Sequence, residues 1–134
     1  MIMNKLIVAG LAGVLLATSA LPASAGEGFF CKGEGVEIEI PLGGGAGLSP
    51  LSAIVKAAGK TWTTAEGKAD TIQIWPAQSA STDNRLYLDF TDTDYAAIIV
   101  EIRLFWAEEE TDPVYGGILR IAEHGVWPIS CGMG

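Results

Sequence analysis

Cys31 and Cys131 are the only two cysteines of this 134-residue chain, and they stand near the two ends of whatever folds. A bond between them brings the first and last elements side by side. Closing a loop of about one hundred residues stabilises a fold by about 4 to 5 kcal/mol in the chain-entropy description. Oxidation needs the right compartment, and the first twenty-five residues specify one. Met1 to Lys5 carries one positive charge, Leu6 to Leu21 is an almost unbroken apolar run, and Ala23-Ser24-Ala25 has the small-x-small pattern of a signal-peptidase site. Thr18, Ser19 and Pro22 interrupt the run before it reaches the roughly 20 apolar residues of a membrane span, so a stable anchor is not expected. The reading is a cleaved signal peptide over 1–25 and one periplasmic or secreted domain over 26–134. In that setting the two thiols are expected to be bonded. A redox or metal role for the pair is disfavoured, because there is no Cys-x-x-Cys spacing and only one histidine.

Charge narrows the partners. Eight Lys plus Arg against sixteen Asp plus Glu give a formal charge of −8, and removal of Lys5 with the leader makes the balance one unit more negative. Nucleic acid and anionic lipid are poor partners for such a surface, whereas a basic protein is permitted. An acidic surface that merely solvates the domain is the plainer alternative.

Turn residues recur every ten or so positions, as in a small antiparallel protein. Val36, Ile38 and Ile40 alternate with Glu37 and Glu39, which describes a strand with one face buried. Pro41 and Gly43-Gly44-Gly45-Ala46-Gly47 end it in a loop. The glycine run lacks the Lys-Ser/Thr ending of a phosphate loop. Ile72 and Ile74 alternate with Thr71, Gln73 and Trp75; Leu86, Leu88 and Phe90 alternate with Arg85, Tyr87 and Asp89. Ile98, Val100, Ile102, Leu104 and Trp106 share one side of a long central strand. Glu108 to Pro113 reads as a turn, Gly117 to Ile121 as a strand, and Trp127, Ile129 and Cys131 as the inner side of the last one.

Residues 50–58 leave two readings open. Ser49-Pro50 fits an N-cap with a first-turn proline, Leu51, Ile54, Val55 and Ala58 fall at helical spacing, and Gly59 fits a C-terminal cap. An extended run from Ala53 to Thr64 fits as well. Six or seven strands with one apolar face each require a shared interior. The fold class is therefore mainly β, a small antiparallel barrel or sandwich closed by the Cys31–Cys131 bond, with a short helix near 50–58 as an option.

Catalytic signals are thin. His124 is the sole histidine, flanked by Glu123 and Gly125 in a tight turn, and no Gly-x-Ser-x-Gly elbow accompanies it. Asp89, Asp92 and Asp94 offer hard oxygen ligands for calcium within six residues, though without the glycine and distal Glu of an EF-hand. Turn chemistry explains the same aspartates without an ion. Neither a cofactor nor an enzymatic activity is expected. Strict alternation places Trp75 and Tyr87 on the polar sides of their strands, where exposed aromatics serve as binding anchors.

The run Gly59-Lys60-Thr61-Trp62-Thr63-Thr64, followed by Ile74-Trp75, resembles the bacterial C-type lysozyme inhibitors over about twenty residues. The family's Ser-Gly-x-x-Tyr motif corresponds to Ala58-Gly59-Lys60-Thr61-Trp62, with alanine in place of the serine. Its lysine falls at Pro76 or Ala77. The resemblance implies a small periplasmic barrel whose loops block a basic enzyme, and it adds Trp62 to Trp75 and Tyr87 as a candidate contact. Three expectations follow in order: an exported binding or envelope-protection module, an inhibitor of a basic lysozyme-like enzyme, or a calcium-binding or hydrolytic protein built on Asp89, Asp92, Asp94 and His124.

Overall fold

The computed structural model describes residues 28–41, 52–110 and 112–133. Residues 1–25, expected to be a leader, and the Gly43 to Gly47 run lie outside the described residues. Ten strands follow one another: β1 (Gly28–Gly33), β2 (Val36–Pro41), β3 (Ile54–Ala57), β4 (Lys60–Thr63), β5 (Ile72–Gln73), β6 (Trp75–Thr82), β7 (Arg85–Thr91), β8 (Ile98–Glu109), β9 (Asp112–Ile121) and β10 (Gly125–Met133). They form one sheet in the order β5-β4-β3-β2-β1-β10-β9-β8-β7-β6. Its two edge strands are consecutive in sequence and joined by Ile74 alone, so the sheet curls until its edges nearly meet. At that seam the Ile74 N–H donates to the Thr63 oxygen at 2.9 Å, and the Gln73 amide spans the carbonyls of Thr63, Thr64 and Ile74.

Alternation dictates what fills the barrel. Val36, Ile38 and Ile40 are buried while Glu37 and Glu39 are exposed; Leu86, Leu88 and Phe90 point inward beside Val100, Ile102, Leu104, Leu119 and Ile121. Removing one of these large side chains should cost about 2 to 5 kcal/mol through lost burial and the cavity left behind. The apolar interior and charged exterior are the inverse of a membrane-spanning barrel, whose lipid face is apolar and whose lumen is polar. Among the described residues no helix is long and apolar enough to cross a membrane.

Cys31 and Cys131 are bonded. They are direct partners across the antiparallel β1–β10 pair, with Cα atoms 4.0 Å apart. The bridge therefore fastens the first strand to the last, as the sequence implied.

Other expectations are corrected. The described part of 50–58, residues 52–58, holds no helix: Ile54–Ala57 is a strand, with Ala53, Val55 and Ala57 inward, and it pairs with β2 and β4. The Ser49-Pro50 cap signal lies outside the described residues. The strand is favoured because Ala58 and Gly59 take φ 50° and 72°, the paired left-handed residues of a two-residue hairpin turn whose twist matches its strands. Among the described residues the strands number ten rather than six or seven, since Ile74 divides the 72–82 run and short β3, β4 and β5 are added. Glu108 to Pro113 is not all turn, because the β8–β9 ladder continues through Glu108↔Pro113 to Glu109↔Asp112. Ile98 is 41% exposed rather than inward: a register shift between Phe90 and Thr91 inserts an extra residue, and Ile99 packs on the core instead.

Candidate functional site

The aspartates of the proposed calcium cluster do separate jobs. Asp89 lies on the outer face of β7, where its carboxylate accepts from Arg103 Nη1 at 2.8 Å. Asp92 organises the β7–β8 loop, its Oδ1 accepting from the backbone N–H groups of Asp94 at 3.2 Å and Ala96 at 2.8 Å. That is the turn chemistry of a short acidic side chain. Among the described residues no three His, Cys, Asp or Glu side chains converge to hold a metal ion. Asp89, Asp92 and Asp94 are not gathered into a ligand set.

His124 is exposed in the β9–β10 turn, with Nδ1 3.0 Å from the Ala122 oxygen. Its ring lies edge-on to Trp62, with centroids 5.0 Å apart. The neighbour of the sole histidine is thus an indole. Trp62 itself is 1% exposed and cannot be a surface anchor, because β4 turns it inward between Thr61 and Thr63. The stretch resembling the lysozyme inhibitors forms the β3–β4 hairpin and contributes to the core.

Tyr87 and Trp75 are both half-buried. Tyr87 lies beneath the Arg103 guanidinium, 5.0 Å from its ring centroid, and the alternation that put it outward was correct. Arg103 also meets Glu101 Oε1 at 3.1 Å, and the other oxygen of Glu101 accepts from Arg120. The chain Asp89, Arg103, Glu101, Arg120 thus knits β7, β8 and β9 on their outer face. Beside it a recess of about 180 Å³ is lined by Gln78, Ser79, Ala80, Tyr87, Asp89 and Arg103. With Asp89 and Arg103 already paired, this recess has little unbalanced charge to offer a ligand.

Unbalanced charge lies further along the same strands. The last β7–β8 pair is Arg85↔Phe105, yet β8 and β9 run on through Trp106↔Tyr115, Ala107↔Val114, Glu108↔Pro113 and Glu109↔Asp112. This hairpin overhangs β7 and carries acid in four of the five positions from 108 to 112. Glu108 and Glu110 are exposed there. On the outer face Phe105 is 46% and Val114 is 71% exposed, whereas Glu108 follows the phase of Trp106 and belongs to the other face of the overhang. Trp106 and Tyr115 turn inward and pack on each other at 5.9 Å, which holds the hairpin to the core. Phe105 escaped notice in the sequence, although it falls on the polar side of β8 between Arg103 and Ala107. Its signal was an aromatic residue out of phase with the apolar stripe. The hairpin thus exposes both acidic and apolar side chains. Compared with protein-family models, characterised proteins and solved structures, this chain matches none.

Proposed function

We propose that this chain is an exported, non-catalytic binding module whose partner is a basic protein, and that the overhanging β8–β9 hairpin is its main contact. The observation that carries this reading is the hairpin itself, with exposed Glu108 and Glu110 near its tip and exposed Phe105 and Val114 on its outer face. Acidic side chains steer a basic partner and set its orientation, while large apolar side chains supply buried area once it has docked. The formal charge of −8 extends the same attraction over the whole molecule. A disulfide between β1 and β10 supports work outside the cytoplasm, and the signal-peptide pattern of residues 1–25 supports the periplasm or the medium. A lysozyme-like enzyme is one basic partner of this kind, and protection of the cell envelope is the role it would give.

The test is titration of the purified domain with a C-type lysozyme across a salt series. Binding at low ionic strength should weaken steeply as salt rises. Glu108→Lys with Glu110→Lys should weaken it about tenfold or more while leaving the melting temperature in place. No association at low salt, or association indifferent to both changes, overturns the reading.

A further inference from the structure

Opposite Asp89, β6 carries one residue too many. Pro76 pairs with Phe90 and Ser79 with Leu88, so Ala77 and Gln78 together face the single residue Asp89. This is a β-bulge, which bends its strand and re-aims a side chain, and bulges are frequent at sheet edges and beside functional sites. Here a cavity lies against it. The recess of about 180 Å³ described above begins at Gln78, Ser79 and Ala80 and reaches Tyr87, Asp89 and Arg103 on the next two strands. Ala80, Tyr87 and Arg103 are successive cross-strand partners, so the recess crosses β6, β7 and β8 on their outer face.

Charge defines what can enter. The Asp89 side chain is 11% exposed and that of Arg103 27%, and the two meet at 2.8 Å. Arg103 also meets Glu101, whose other oxygen accepts from Arg120, so two acids and two bases cancel along the row. An anion would have to displace a carboxylate from Arg103, and a cation would have to draw Asp89 away from its guanidinium. An apolar ligand would strip the remaining water from both ions and return no hydrogen bond, which costs more than the contact gains. What fits is a neutral molecule with donors and acceptors in adjacent positions. A carboxylate only accepts and a guanidinium only donates, so two neighbouring hydroxyl groups, each able to do both, can donate to Asp89 and accept from Arg103. Exposed Gln78 adds an amide, again both donor and acceptor, and the Tyr87 ring supplies apolar surface for C–H groups.

We infer that this recess binds one ring of a neutral saccharide, with vicinal hydroxyls on Asp89 and Arg103 and a further contact to the Gln78 amide. Its volume is below the roughly 300 to 1,000 Å³ of a pocket for drug-sized ligands, so a single ring fills it and the rest of any chain lies outside. The bulge is what turns Gln78 toward that ring. The site lies between β6 and β8, apart from the β8–β9 overhang, and does not depend on the basic-partner reading.

The experiment titrates the isotope-labelled domain with glucose, N-acetylglucosamine, maltotriose and triacetylchitotriose, followed by amide chemical shifts. At least one should move the amides of Gln78, Ser79, Ala80, Tyr87 and Asp89. A response to a monosaccharide marks a free sugar as sufficient, and a response to a trimer alone marks a glycan chain. Raising the salt should leave the affinity where it was, since no net charge is met. Ala80→Leu fills the recess from an exposed strand position, so the shifts should vanish while the melting temperature holds. If that variant melts lower, Gln78→Ala replaces it and should weaken binding about fivefold, the worth of one hydrogen bond. Three results overturn the site: none of the four sugars moves these amides, the shifts persist in the folded variant, or glucuronate binds more tightly than glucose.

Discussion

His124 closes one end of the barrel over Trp62: the two rings meet at an interplanar angle of 83°, although one belongs to the β9–β10 turn and the other to β4. Those elements are far apart in strand order, so the contact exists only because the sheet curls round on itself. An exposed imidazole edge thereby shields the largest fully buried side chain. His124→Ala should lower stability by about 1 kcal/mol, the usual worth of such a pair beyond its area. It should also raise the acrylamide quenching of tryptophan emission. Unchanged quenching and stability would mean that the imidazole shields nothing.

Turn strain supplies a second prediction. Ala58 (φ 50°) and Glu123 (φ 66°) occupy left-handed conformations that suit Asn or Gly, and each sits in a hairpin turn. Ala58→Asn and Glu123→Gly should each stabilise the domain by about 0.5 to 1 kcal/mol in urea unfolding. Destabilisation by both would contradict the turn geometry. The neighbouring Gly125 behaves oppositely, since its φ is 151° and a β-carbon there would lie 3.1 Å from the Trp127 ring. Gly125→Ala should destabilise.

Where side chains alternate over several residues, the sequence was easy to read. Val36 to Ile40, Leu86 to Phe90 and Val100 to Trp106 each present one apolar face at a period of two, and each is the expected strand. Residues 50–58 were not legible, because Ile54 and Val55 fit both periods. The decision came from pairing with β2 and from an alanine holding positive φ, neither of which is written in local composition. Ile98 misled for a related reason: one inserted residue inverts the facing of everything before it. Trp62 misled through resemblance, which carried a contact role onto an inward position. The acidic tip was visible as composition, but its overhang depends on where β7 begins.

The last prediction separates turn chemistry from metal binding at the β7–β8 loop. Asp92 Oδ1 takes two backbone N–H donors, and its own N–H and C=O bond with Ala97 and Tyr95 across the loop. An aspartate so occupied acts as a local cap whose removal costs about 1 to 2 kcal/mol, because two donors lose a charged acceptor. Asp92→Ala should therefore lower the melting temperature equally with and without calcium, and a chelator should leave the wild-type melting curve where it was. Asp94→Ala should change little, since Asp94 meets Asp92 through its backbone N–H rather than its carboxylate. Thermal melts in excess EDTA and in millimolar calcium check all three. A chelator-induced drop that vanishes in Asp92→Ala would reinstate an ion at this loop and return Asp89, Asp92 and Asp94 to consideration as its ligands.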